Sequence, residues 1–399
     1  MSGAPPRAVL PGLAVAVVGV LPSFLLGALA LQAGRDLHFG AAGLGGATTA
    51  FFVVSALGSV PLGRLADRLG GQTAMRASAL GSAACLLGVA LLARSYLSLL
   101  LILVAGGMAN SLAQPAVNAF LAGRVAQRRQ GLVFGVKQSA IPVAVLLSGL
   151  SLPLVALTVG WRFAFAAGAL LAVGAALAVS VAARVPAAPV APAPERPRVR
   201  RLAPLGAAAA LGAFSGTALG AFLVTAAVAA DVSEGRAGVL LALGSLASLV
   251  VRVGAGWLAD RTSSEGLLPT VGLLAVGTLG FALLAVQTPW ALVLGTLVAF
   301  AAGWGWPGLF NFAVVSRHPS AAAAATGITQ TGVYVGAGVG PLLFGLIVQH
   351  VSLPGAWLAA AGSAGLAAII VAAWMRGERA RGDGAPGTAP APAPAAPVG

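Results

Sequence analysis

The stretch GRLADR occupies residues 63–68, and the closely similar stretch GWLADR occupies residues 256–261. Five of the six residues match, and the copies lie 193 positions apart, close to half of the 399-residue chain. Each copy stands where a long apolar run meets a charged loop. A repeat of half-chain length in so apolar a sequence indicates two similar bundles of membrane-spanning helices.

The composition excludes an ordinary soluble domain. Hydrophobic residues make up 59% of the chain and charged residues 8%, and the mean hydropathy is +0.97. A soluble domain carries about 25% charged residues. Apolar runs of roughly 20 residues, each long enough to cross a bilayer, recur from end to end. Lipid offers the backbone no hydrogen-bond partner, and these runs are longer than the strands of a barrel, so we expect helices.

Twelve spans are predicted, six in each half. They lie near residues 8–31, 42–62, 74–93, 96–121, 132–154, 162–183, 204–230, 237–259, 267–287, 290–315, 322–349 and 354–375. The predicted fold is therefore an all-α membrane protein, with 12 transmembrane helices in two pseudo-symmetric six-helix bundles. The predicted domains are an N-terminal bundle at 1–183, a Pro- and Arg-rich linker at 184–203, a C-terminal bundle at 204–375 and a disordered tail at 376–399.

The distribution of arginine predicts the orientation. With the N-terminus inside, 17 basic residues lie on the cytoplasmic side and four on the other. Positive charge accumulates on the cytoplasmic side of membrane proteins, so both termini are expected there. The preference for arginine over lysine is typical of a GC-rich genome, and we expect a multi-pass protein of the bacterial plasma membrane. The net charge of +14 lies in the loops, so no nucleic-acid partner is expected.

The first repeat loop resembles the signature loop of the major facilitator superfamily, whose pattern is Gly-x-x-x-Asp-Arg/Lys-x-Gly-Arg-Arg/Lys. Residues 63–71 read GRLADRLGG and depart from it at Gly71, where the family usually has a basic residue. GVKQS at 135–139 and GITQT at 327–331 extend the repeat. The resemblance covers about residues 8–375 and implies a secondary transporter that works by rocker-switch alternating access.

The two repeat loops are candidate gates between the bundles. The candidate gating residues are Gly63, Asp67 and Arg68 and, in the second copy, Gly256, Asp260 and Arg261. Glycine allows a neighbouring helix to approach closely, and Asp67 is placed to accept hydrogen bonds from a helix N-terminus. The resemblance implies that this helix is span 11. The alternative is that Asp67 and Arg68 merely end a helix.

Two cations inside predicted spans indicate the cargo, because charges in a membrane are rare and functional. They are Lys137 in span 5 and Arg252 in span 8, and no Asp or Glu lies in any span. Arg252 shares a helix face with Ser248 and lies about 12 Å along the helix from Asp260. An anionic cargo is the simplest counter-ion. Alternatively, Lys137 reaches the interface and Arg252 caps carbonyls.

A further resemblance concerns Arg252. Oxalate and monocarboxylate carriers of the superfamily have an arginine at the matching position, and it binds the substrate carboxylate; the resemblance implies that role for Arg252. Other candidate substrate-binding residues form polar or aromatic stripes within spans: Gln138, Asn110, Gln114, Ser248, Trp304, Asn311, Gln330 and Tyr334. The alternative for each is interhelical hydrogen bonding or core packing.

Neither an enzyme nor an ATP-driven pump is predicted, because the chain has no Walker motif, metal-ligand spacing or nucleophile elbow. No cofactor is expected. The expected partners are a small-molecule substrate, with or without a coupled ion, and the lipid bilayer around a monomer. A drug/proton antiporter remains an alternative, although its Gly-x-x-x-Gly-Pro phrase is absent from span 5 and stands at 336–341 instead. A non-transporting sensor or scaffold is the alternative from another class.

Overall fold

The computed structural model describes residues 6–121, 136, 138–181, 199–262, 267–318 and 322–383. In these ranges twelve helices are long and apolar enough to cross a membrane, which confirms the predicted all-α fold. The first half contains α1 (Pro6–Ala28), α2 (Ala41–Leu69), α3 (Gly71–Leu92), α4 (Tyr96–Leu121), α5 (Ala140–Ser151) and α6 (Trp161–Val181). The second contains α7 (Val199–Ala229), α8 (Glu234–Thr262), α9 (Leu267–Leu284), α10 (Pro289–Val298 and Pro307–Arg317), α11 (Ala322–His350) and α12 (Leu353–Asp383). A short helix, Ala30–Leu37, follows α1.

Several helix ends differ from the prediction. α2 and α8 continue through the two copies of the repeat, to Leu69 and Thr262. The last helix runs to Asp383 and so includes the first eight residues of the predicted disordered tail. Arginine, glutamate and alanine in this stretch are good helix formers, so the helix continues beyond its apolar part. Similarly, α7 begins at Val199, inside the predicted linker. Residues 384–399 and 182–198 lie outside the described ranges.

Prolines interrupt two helices near their middle. In α10 a π-helical turn, Ala299–Gly303, precedes an irregular turn before Pro307. Pro307 has no N–H to donate to the carbonyl four residues earlier and its ring crowds that carbonyl, which favours the irregular turn at this point. In α5 a π-helical turn, Leu152–Ala156, contains Pro153. Such turns occur frequently at functional sites.

The two halves contact each other through the helix pairs α2–α11, α5–α8 and α1–α7. Glycine makes the close approach possible. A Cβ placed on Gly149 of α5 would lie 2.8 Å from the nitrogen of Ala242 in α8, and one on Gly27 of α1 would lie 2.8 Å from the Cα of Ala221 in α7. Both contacts lie toward the helix ends that are remote from the repeat loops.

The opposite end of the molecule, which carries the repeat loops, has a different arrangement. Among the described residues, a Cβ on Gly63 would meet only Pro115, which belongs to the same half. A Cβ on Gly327, near the start of α11, would meet nothing within 4 Å. In the described ranges, close glycine contacts between the halves thus lie at one end, whereas neither Gly63 nor Gly327 has a neighbour from the opposite half within 4 Å.

Charged residues strengthen the packed end. Glu234, at the start of α8, pairs with Arg35 at 3.0 Å and accepts a hydrogen bond from Gln32 at 3.1 Å. Arg35 and Gln32 lie on the short helix after α1, so this ion pair joins the two halves. Nearby, within the first half, Arg162 and the Trp161 indole N–H donate to the carboxylate of Asp36.

The Asp36 contacts predict a pH-dependent stability. The hydrogen bond from Arg162 holds the pKa of Asp36 below its ordinary value. A lowered folded-state pKa stabilises the protein above the unfolded-state pKa of about 3.9, and this stabilisation disappears as the pH falls through the folded-state pKa. We expect Asp36→Asn to lower the melting temperature at pH 7, with a difference from wild type that shrinks below about pH 4.

The matched control is Asp231→Asn, because Asp231 is an exposed acid whose left-handed backbone (φ 62°) suits asparagine. The melting temperature of this variant should equal that of wild type both at pH 7 and below about pH 4. A constant difference between Asp36→Asn and wild type across the acidic range would contradict the assignment.

Candidate functional site

Arg252 is the centre of the candidate site. Its side chain projects from α8 and is 1% exposed. The Nε–H donates to the carbonyl oxygen of Trp304 at 3.0 Å, and an Nη2–H donates to the same oxygen. An Nη1–H donates to the carbonyl oxygen of Gln138, which belongs to the other half of the molecule. The guanidinium is thus held by two backbone carbonyls, one from each half.

Both carbonyls lie where the regular hydrogen-bond ladder of their helix is interrupted. In a regular helix the Gln138 carbonyl would bond to the N–H of residue 142, but this residue is Pro142 and has none. Trp304 stands between the π-helical turn and Pro307, outside the regular ladder of α10. A buried carbonyl without a partner costs free energy, so each of these oxygens favours an external donor.

The charge of Arg252 has no acid beside it. In the described part of the chain the ion pairs join Arg35 to Glu234 and Arg162 to Asp36, and neither involves Arg252. A guanidinium has five N–H groups, of which the two carbonyls receive three. Backbone dipoles therefore stabilise this cation in part, while its charge and part of its donor capacity remain uncompensated.

An aromatic cluster adjoins the guanidinium. The Trp304 ring centroid lies 5.9 Å from the Arg252 Cζ atom. Trp304 also packs against Phe300 of its own helix and against Phe24 of α1, each at 5.7 Å between ring centroids. Phe24 in turn lies 6.1 Å from Phe52 of α2. The cluster is built by both halves, and its four rings are buried beside the cation.

Glycines of α7 make room for this cluster, a feature that our sequence reasoning missed. A Cβ on Gly216 would lie 2.7 Å from Cγ of Trp304, and one on Gly220 would lie 2.9 Å from both Trp304 and Phe24. Gly212, one turn earlier, receives the Trp306 indole in the same way. The available signal was the spacing Gly-x-x-x-Gly-x-x-x-Gly at 212–220, a pattern typical of close helix packing in membranes.

The other polar residues predicted for the site are more dispersed. Ser248, one turn before Arg252, is fully buried and its hydroxyl has no partner in the described part of the chain. Asn110 is buried and donates to Ser55 at 3.0 Å within the first half. Asn311 is buried, whereas Gln114, Gln330 and Tyr334 are half-buried. No described hydrogen bond joins any of them to Arg252, and Lys137 lies outside the described residues.

The gating residues remain a prediction. Arg68 is exposed at the end of α2, and Gly256 is buried in α8. Arg261 stacks on Trp257, with 3.8 Å between its Cζ atom and the ring centroid. The side chains of Asp67 and Asp260 lie outside the described ones. In the described ranges, no three His, Cys, Asp or Glu side chains converge to form a metal site.

The position of Trp304 against α7 can be tested by filling the space beside Gly216. We expect Gly216→Val to destabilise the protein by about 1–3 kcal/mol, because the new side chain overpacks the indole. The control is Gly174→Val in α6, where a Cβ meets no described atom within 4 Å. Thermal unfolding in detergent would compare them. Equal melting temperatures for the two variants would show that Trp304 does not pack there.

Comparison with known proteins identifies the family. The sequence pattern of the Major Facilitator Superfamily matches residues 12–329 and, in a second match, residues 205–399. Among solved structures, the fold is similar to that of a bacterial homologue of the human lysosomal transporter Spinster, in an inward-facing and occupied conformation. The TM-score is 0.69 at 15% identity, over 95% of this chain and 98% of that one. No curated protein matches the sequence. This chain therefore belongs to the Major Facilitator Superfamily of membrane transporters.

Proposed function

We propose that this transporter carries a small organic anion, with Arg252 as the ligand for its carboxylate. The observation that carries the proposal is a buried guanidinium with no acid beside it in the described part of the chain. A buried charge without a counter-ion is costly, and a cargo that supplies the counter-ion gains that free energy on binding. The planar fork of arginine suits the two oxygens of a carboxylate.

The surroundings of Arg252 support an organic anion rather than an inorganic one. The Trp304 ring lies 5.9 Å from the guanidinium and packs against Phe24 and Phe300, so a cargo that enters here would meet aromatic rings. Burying the carbon skeleton of a cargo against such rings is favourable. Lys137, adjacent to Gln138 in the sequence, is the second cation that the proposal would place near the anion.

Alternating access is the proposed mechanism. The halves meet through close glycine contacts and the Arg35–Glu234 ion pair at one end, and we infer from the surroundings of Gly63 and Gly327 that they separate toward the repeat loops. Arg252 and Trp304 come from one half, and Gln138 and Phe24 from the other, so the site lies between the parts that would move. We infer from the arginine distribution that the separated end faces the cytoplasm of a bacterial cell.

Ligand-induced thermal stabilisation tests the cargo class. The purified protein would be heated with oxalate, lactate and benzoate, with neutral sugars and with lipophilic cations. We expect a carboxylate to stabilise the wild type, and Arg252→Ala to weaken its binding at least about tenfold, because hydrogen bonds to charged groups contribute about 1.5–3 kcal/mol. Arg252→Lys, which retains the charge without the fork, should bind with intermediate affinity.

The control for this experiment is Arg236→Ala, an exposed arginine in the first turn of the same helix. It should respond to carboxylates like wild type. Stabilisation by lipophilic cations that persists in Arg252→Ala would instead favour a drug antiporter and leave Arg252 with a structural role.

The gate hypothesis has a separate test. Asp67→Asn removes a charge that would hold span 11 when the repeat-loop end closes. We expect it to slow transport into proteoliposomes while the binding affinity for the same anion changes little. Arg94→Gln, a loop change at the other end of the molecule, is the control. An unchanged transport rate in Asp67→Asn would remove Asp67 from the gate.

A further inference from the structure

The bond between Arg252 and the Gln138 carbonyl differs in position from the other contacts between the halves. The close glycine contacts and the Arg35–Glu234 pair lie at the packed end. Arg252, in contrast, lies in the interior of α8, well inside the span Glu234–Leu258, and reaches across to the residue that precedes α5. It is therefore a bridge between the halves that lies away from the packed end.

Pro142 creates the acceptor of this bridge. Because residue 142 has no N–H, the Gln138 carbonyl lacks the donor that a regular helix would supply. The next carbonyl, that of Ser139, does receive its helical bond, from Val143 at 3.0 Å. Of these two carbonyls, the one without a helical donor is the one that receives the guanidinium.

The bridge also closes the site. At 1% exposure, the Arg252 side chain is shielded from any cargo as long as it stays in place. Two of its three hydrogen bonds go to Trp304 in the same half and can travel with it. The bond to Gln138 is the one that ties it to the opposite half. A carboxylate accepts stronger hydrogen bonds than a neutral carbonyl, so an anion is the ligand that can replace this bond.

We propose that the Gln138 carbonyl, freed by Pro142, is a built-in competitor of the cargo: it holds Arg252 across the two halves in the empty carrier and yields it to the arriving carboxylate. This inference rests on the proposed function, which supplies the identity of the cargo as a carboxylate. The bridged form is the one that cannot bind, and the apparent affinity is reduced by the fraction of carriers that occupy it. Cargo binding thereby releases a bond between the halves, which couples occupancy to their movement.

The first experiment needs no cargo. Spin-label pairs would report distances between the halves, one pair at Arg76 and Arg376 on the repeat-loop side and one at Arg94 and Val351 on the packed side, all exposed positions. Buried Cys85 would be replaced by Ala. Pro142→Ala restores an N–H that can occupy the Gln138 carbonyl, and Arg252→Met removes the donor. Pro204→Ala, an exposed helical proline of α7, is the matched control.

We expect Pro142→Ala and Arg252→Met to shift the distance distributions of the empty carrier in the same direction. The double variant should shift them no further, because both changes remove the same bond between the halves, from Arg252 to the Gln138 carbonyl. Pro204→Ala should match wild type. Distributions for Pro142→Ala that coincide with those of wild type, or shifts that add in the double variant, would overturn the bridge.

The second experiment measures binding of the carboxylate that stabilises the wild type most among oxalate, lactate and benzoate. Loss of a competing charge-assisted hydrogen bond should make Pro142→Ala bind it about tenfold more tightly, while Arg252→Met loses binding. Unchanged or weaker binding by Pro142→Ala would overturn the competition. If none of the three anions stabilises the wild type, the proposed function fails, whereas the distance measurements still decide whether the bridge exists.

Discussion

A guanidinium inside a membrane has to be surrounded by acceptors, and this requirement organises the centre of the molecule. Arg252 obtains its acceptors from the backbone, through the carbonyls of Gln138 and Trp304. Each carbonyl is available only because its own helix is interrupted, by Pro142 in one half and by the π-helical turn before Pro307 in the other. An interrupted helix leaves a buried carbonyl without a donor, and a buried guanidinium needs acceptors. Here each reduces the free-energy cost of the other.

The aromatic cluster beside Arg252 depends on the absence of side chains elsewhere. Trp304 is among the largest residues, and it fits between helices because α7 presents Gly216 and Gly220 to it. Without a hydrophobic effect between helices in lipid, packing of this kind is a principal source of association. The same use of glycine brings α5 against α8 and α1 against α7 at the packed end. Glycine therefore makes room for a bulky ring within the second half and for close backbone contact between the halves.

The distribution of these contacts is consistent with two rigid units that move against each other. The halves share the guanidinium bridge in the interior and a close-packed, ion-paired contact at one end, while Gly63 and Gly327 have no described partner from the opposite half. The guanidinium bridge contributes a single hydrogen bond between the halves, whereas the packed end brings several helix pairs together.

The sequence by itself determined the number of helices, the half-chain repeat and the place of Arg252 inside a span, because each of these depends on runs of apolar residues and on charges that stand out against them. It also singled out Gln138 and Trp304, although as side chains facing a cargo rather than as carbonyls facing Arg252. The hydrogen bond from Asn110 to Ser55, both in the first half, could likewise not be predicted from the sequence.

Only the tertiary structure decided which acceptors meet the cation. Every residue carries a carbonyl, so an acceptor leaves no mark in the composition of a helix; it becomes distinctive through a proline three or four positions later and through the packing of α5 against α8. The helices follow from local periodicity, whereas the bridge between Arg252 and Gln138 joins residues 114 positions apart and exists only when both halves are in place.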